Sequence, residues 1–134
     1  MPGINEKDIN IPDNIYIAKQ IPYSWLLGHV ELVVHHFGFG TTAEVLRAGL
    51  PSIPIPHIFD QKIRASTIHK LGYAYKPLNI NKFNGNILSN AIISVKNNKE
   101  MKKKCLNAGR RIINEKGTEK AVKLINEFIE QIKN

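Results

Sequence analysis

Apolar positions fall into short unbroken runs in the first half of the chain and into long helical stripes in the second. Asn14-Ile15-Tyr16-Ile17-Ala18 is a compact β-rich run that predicts a buried strand. Pro22 then opens a short helical stretch through Trp25, Leu26 and Leu27. Glu31-Leu32-Val33-Val34-His35-His36 carries apolar residues without alternation, the pattern of a strand buried on both faces. From Thr41 to Ala48 the pattern is helical, and Gly49 stops it. Ser52-Ile53-Pro54-Ile55 predicts a third short strand whose proline needs an edge or an irregular position. Asp60 to Lys70 reads as a helix ended by Gly72, and Tyr73-Ala74-Tyr75 as a last short strand. Beyond it, Met101, Cys105, Ala108 and Ile112 recur at helical spacing, as do Ala121, Ile125, Phe128 and Ile132 behind the natural N-cap Thr118. Strands alternating with helices, then terminal helices, define an α/β fold with a parallel sheet. Residues 1–14, with two prolines and no period, form an arm or linker, and residues 15–134 the domain.

Composition narrows the class. With 134 residues, 43% hydrophobic and 22% charged, the chain suits one folded domain. No apolar run approaches the roughly 20 residues that span a bilayer, and the first residues lack the pattern of a secretory signal. A lone cysteine, Cys105, points to a reducing, cytoplasmic compartment. Lys and Arg number 19 against 11 Asp and Glu, a net charge of +8 that permits anionic partners. The basic run from Lys96 to Lys104 has no interleaved aromatics, which argues against nucleic acid. It reads as a solvated helix face, with peripheral contact to an anionic membrane as the alternative.

The chemistry concentrates in His35-His36-Phe37-Gly38-Phe39-Gly40-Thr41-Thr42-Ala43-Glu44, between a strand and a helix. Two glycines let backbone N–H groups approach a ligand, and a helix starting at Thr41 adds unpaired donors and a positive dipole end. Together they suit a phosphate, with His36 and the hydroxyls of Thr41 and Thr42 as further partners. Blander readings stay open: the glycines only turn the chain, His35 is a hydrogen-bonded sheet residue, and Thr41-x-x-Glu44 is a capping box. Gly38-x-Gly40-x-x-Ala43 also matches a loose dinucleotide fingerprint. Its acidic partner would have to be Asp60, which follows two prolines and opens a helix rather than ending a strand. His35, His36, His57, Asp60 and His69 are zinc ligands by type, but none falls at a recognised spacing, so no metal is expected.

From Ile21 to Leu78 the chain resembles the donor-binding C-terminal half of family 1 glycosyltransferases with the GT-B fold, in their sterol 3-beta-glucosyltransferase and bacterial antibiotic glycosyltransferase branch. The residues that carry the resemblance are Ile21-Pro22-Tyr23-Ser24-Trp25-Leu26-Leu27, Val33-Val34-His35-His36-Phe37-Gly38-Phe39-Gly40-Thr41-Thr42, Leu46-Arg47-Ala48-Gly49-Leu50-Pro51-Ser52 and Phe59-Asp60-Gln61. The resemblance implies a Rossmann-like sheet and a uridine-diphosphate sugar as donor, with no cofactor. It assigns the diphosphate to His36, Gly38, Gly40, Thr41 and Thr42, and the ribose to Glu44. Asp60 and Gln61 match the pair that holds the transferred sugar. Ile21 falls where the family's backbone meets uracil. Gln20 stands where many relatives stack a Trp on that base; Trp25 either takes over the contact or packs in the core. Phe37 and Phe39 replace small residues and are expected to narrow the loop.

The implied reaction is inverting transfer of a hexose, glucose in the sterol branch, to a sterol, a lipid or another small hydroxyl acceptor. The family's acceptor-activating base belongs to an N-terminal domain that nothing here matches, so no catalytic residue is assigned. The first strands of the donor half are also unmatched, and would separate the strands expected at 15–18 and 32–35. This predicts reliance on an acceptor-binding domain or subunit, and self-association through the exposed strand edge. The alternatives are the donor subunit of a two-chain enzyme and a non-catalytic module for nucleotides or anionic membranes.

Overall fold

The computed structural model describes residues 11–133; most of the expected arm, residues 1–10, lies outside them. Residues 11–22 run without regular structure into the short helix α1 (Tyr23–Leu26). The strand expected over 14–18 does not form: Ile15 and Tyr16 are exposed, Tyr16 at 85%, and among the described residues no strand pairs with them.

Among the described residues two parallel strands make the sheet. β1 (Val33–His35) pairs with β2 (Ser52–Pro54) in the register Val33 to Ser52, Val34 to Ile53 and His35 to Pro54. β1 was expected to be buried on both faces, yet Val34 is exposed, because β1 is the edge strand of a two-stranded sheet. β2 is buried throughout. On its far side the expected strand at 73–75 is reduced to one bridge, Ser52 to Ala74, with the Tyr75 N–H donating to Ser52 O at 2.8 Å. The Pro54 carbonyl accepts from the Leu78 N–H on that irregular side, so the proline's missing donor interrupts no ladder bond to β1.

The crossover from β1 to β2 is α2 (Phe39–Arg47), and α3 (Phe59–Lys70) follows β2. Gly49 and Gly72, at φ of +72° and +84°, end these helices in the left-handed region where glycine is least strained. A 3-10 turn over Ile80–Lys82 leads to α4 (Gly85–Asn97), α5 (Lys99–Asn114) and α6 (Gly117–Lys133). Asn84 and Asn98 cap α4 and α5 by accepting the N–H of Ile87 and Met101, each at 2.9 Å.

Two clusters form the core. Ile53 packs with Leu78, Ala91 and Val95, and Phe37 with Ala65 and Ala74. Helices α2 and α5 touch through backbone: a Cβ on Gly109 would lie 2.8 Å from Arg47 O and from Gly49 N. The stripe on α5 is used as its spacing predicts, with Cys105 buried. The stripe on α6 is not. Val122, Leu124, Ile125, Phe128 and Ile132 are all exposed, and Thr118 lies inside the helix rather than capping it.

Candidate donor-binding site

The loop between β1 and α2 is fixed by two residues that face it from opposite sides. Phe37 is fully buried with φ of +68°, a conformation that strains a bulky side chain. Its N–H donates to His35 Nδ1 at 3.3 Å, and the His35 ring stacks on the Phe37 ring at 4.4 Å. With Nδ1 accepting, the ring proton sits on Nε2 and is directed at Ser52 Oγ, 3.2 Å away. Burial, helped by the nearby His36, lowers the His35 pKa to about 4, so the ring is neutral at pH 7. His35 is therefore the hydrogen-bonded sheet residue of the blander reading. From the other side, Arg64 Nη1 donates to Phe37 O at 2.6 Å.

Helix α2 starts earlier than expected. Its N-cap is Gly38 and its first residue Phe39, two ahead of Thr41, and its first ladder bond runs from Thr42 N–H to Gly38 O at 3.0 Å. The amides of Phe39, Gly40 and Thr41 thus lie ahead of the ladder, at the positive end of the helix. The capping box Thr41-x-x-Glu44 is ruled out by this register, and Glu44 pairs with Arg47 at 3.4 Å instead. The buried Thr42 hydroxyl donates to Gly38 O at 2.8 Å. Phe37 turns into the core rather than narrowing the loop, whereas Phe39 is 76% exposed with the Arg64 guanidinium 5.6 Å from its ring.

Two glycines shape the surface above these amides. A Cβ on Gly38 would lie 2.5 Å from His36 Nε2, so only glycine lets that imidazole lie across the loop. A Cβ on Gly40 would meet nothing within 4 Å: beside it is open space. The N-terminus of α3 borders this space. His57 and His36 approach edge to face at 6.4 Å, and exposed Asp60 pairs with Arg64 at 3.4 Å. Gln61 is buried, its Oε1 accepting the N–H of His57 at 2.9 Å and of Ile58 at 3.3 Å, which leaves its amide NH2 to donate.

Arg64 and the His36–His57 contact thus bring His36, Gly38, Gly40 and Thr41 at the start of α2 next to Asp60 and Gln61 at the start of α3. The expected Thr42 contact with the diphosphate is not made, because its buried hydroxyl is spent on Gly38 O. Glu44 lies farther down α2, in a groove lined with Ser24, Leu27 and Gly28. Ile21 lines a separate groove with Tyr16 and Gln20. Trp25 is not a core residue: it is 55% exposed and stacks on His29 at 4.2 Å. Sequence reasoning missed Arg64, and weighed His57 only as a zinc ligand by type. Arg64 sits four residues after Asp60, the spacing of an ordinary helical ion pair, and nothing in that spacing signals its reach to Phe37. Among the described residues no group of three or more His, Cys, Asp or Glu is placed to hold a metal. Among them, too, no helix is long and apolar enough to cross a membrane.

A parallel sheet whose crossover helix meets a glycine loop is a Rossmann-like arrangement, and here it matches the C-terminal half of GT-B glycosyltransferases. The solved glycosyltransferase of kitacinnamycin superposes with a TM-score of 0.81 at 23% identity, over 93% of this chain and 31% of its own. The spinosyn rhamnosyltransferase SpnG complexed with thymidine diphosphate superposes at 0.72 and 23% identity, over 79% of this chain and 29% of its own. Residues 3–128 match the family described as Erythromycin biosynthesis protein CIII-like, C-terminal domain, and the chain belongs to that family. A sterol 3-beta-glucosyltransferase of Komagataella phaffii is 32% identical over 94% of this chain, and an O-mycaminosyltylonolide 6-deoxyallosyltransferase of Streptomyces fradiae is 31% identical over 90%. The chain spans 10% of the first relative's length and 28% of the second's.

Proposed function

We propose that this domain binds the uridine diphosphate of a sugar donor at the start of α2, within an enzyme that transfers a hexose to a sterol or lipid hydroxyl with inversion. The observation that carries the reading is the set of ladder-free amides at Phe39, Gly40 and Thr41, with open space at the Gly40 Cβ position and exposed His36 close by in the loop. Such an end offers backbone donors and a positive field to a diphosphate. The relatedness to sterol glucosyltransferases favours glucose as the sugar and a sterol as the acceptor.

In this reading the acceptor oxygen attacks the anomeric carbon, the bond from that carbon to the diphosphate breaks, and UDP departs with the electron pair. The helix amides and His36 stabilise the charge that grows on the leaving group. Asp60 and the Gln61 NH2 orient the sugar hydroxyls, while Glu44 receives the ribose and Ile21 borders the base. The acceptor's proton goes to a base outside this chain, on an acceptor-binding domain or subunit. That division accords with a chain spanning under a third of its relatives.

UDP should raise the melting temperature, UMP should raise it less, and NAD should not raise it, since a ligand that binds only the folded state stabilises it by mass action. No shift at millimolar UDP would overturn the assignment.

A further inference from the structure

The geometry points to Arg64 as a positioning residue for the diphosphate loop, fixing the Phe37–Gly38 peptide that delivers the chain into α2 and its free amides. This inference rests on the donor reading above and concerns how that site is held.

The Phe37–Gly38 peptide is planar and trans, so its C=O and N–H point in opposite directions. Arg64 Nη1 grips the C=O at 2.6 Å from the α3 side. The N–H of Gly38, on the other edge of the same plane, is thereby turned away from Arg64. The strained φ of +68° at Phe37 needs such a hold, because relaxing it would swing this peptide and turn its carbonyl dipole toward an incoming anion. The guanidinium is itself braced: Asp60 Oδ2 lies 3.5 Å from Nη1 and 3.4 Å from Nη2, and the Phe39 ring covers one face. One side chain thus ties Phe37, at the phosphate end of the site, to Asp60, at the sugar end.

The test uses the full chain in three forms, wild type, Arg64→Met and Arg64→Lys, with amide spectra of the free proteins and calorimetric titrations of UDP and UMP. In Arg64→Met the Gly38, Phe39 and Gly40 amide signals should move while those of the core around Val95 stay. UDP affinity should fall about tenfold, the scale of one charge-assisted bond, and UMP affinity much less. Arg64→Lys, a point charge without the planar fork that spans Phe37 O, Asp60 and the Phe39 ring, should recover only part of the UDP affinity. Wild-type amide shifts in Arg64→Met would overturn the positioning role whatever the ligand does. Moved amides with an unchanged ratio of UDP to UMP affinity would overturn it too, since the loop would then be held for no diphosphate. A wild-type protein that binds neither nucleotide overturns the donor reading itself, and with it the purpose assigned to Arg64.

Discussion

Gly40→Ala separates what the loop does for folding from what it does for the ligand. Gly40 is the second residue of α2 with open space beside it, so a methyl group strains nothing in the free protein. Alanine exceeds glycine by about 1 kcal/mol in a helix interior, and about half to all of that applies near an end. For a chain of this size each kcal/mol shifts Tm by about 4 °C, so the variant should melt about 2–4 °C higher. The ligand meets the opposite effect. Every Cα–Cβ bond of a helix tilts toward its N-terminus, so the new methyl lies over the face where a phosphate oxygen would approach the amides. Losing one hydrogen bond to a charged oxygen costs about 1.5–3 kcal/mol, which weakens UDP roughly 10- to 100-fold. Gly85→Ala is the control: Gly85 opens α4 with equally open space, and its substitution should leave UDP binding unchanged. Scanning calorimetry and titration calorimetry read the two quantities. A Gly40→Ala protein that binds UDP as the wild type does would refute docking at this helix end, and a less stable one would refute the open-space argument.

Gly109→Ala should destabilise the fold by about 2–3 kcal/mol, because its Cβ would sit 2.8 Å from backbone atoms of Arg47 and Gly49 and must push α5 off α2; denaturant unfolding measures it, and a neutral result would refute the close helix contact. His35 is neutral when folded, with a pKa of about 4 against the usual 6.5, so its contribution is complete above pH 6.5 and is lost as the pH falls through 6.5 toward 4. The slope there is at most about 1.4 kcal/mol per pH unit, less because the ring is only half buried; His35→Asn should flatten that part of the stability profile, and an unchanged profile would dismiss the role. Cys105 is buried against Tyr73 O, and burial pushes its thiol up to about 11. A disulfide reagent at pH 8 should therefore label it only as fast as the protein unfolds, and immediate labelling of the native form would contradict this placement.

How much of this was legible in the sequence depended on whether the deciding contact was local. Gly49 and Gly72 end their helices because a left-handed residue is needed there, a requirement visible in the chain itself. The alternation of strand and helix survived only from β1 to α3, where the runs meet a partner, and Pro54 falls, as its missing N–H requires, where the sheet turns irregular. The N-terminus of α2 was misplaced because Thr41 and Glu44 make a persuasive local cap, yet the buried, left-handed Phe37 delivers the chain into the helix at Gly38. That conformation is held by Arg64, 27 residues away, and only the tertiary fold shows it.

The apolar runs separate in the same way. Ile53 and Val95 find each other across the sheet and are fully buried, while Ile15, Tyr16, Ile125 and Phe128 carry equally apolar patterns and are exposed. Periodicity states that a face is fit for burial; what covers it is a separate fact that no spacing encodes. The diphosphate loop divides along the same line. Its glycines and hydroxyls could be read directly from the chain. The strained conformation of Phe37 and the guanidinium that grips its carbonyl could not.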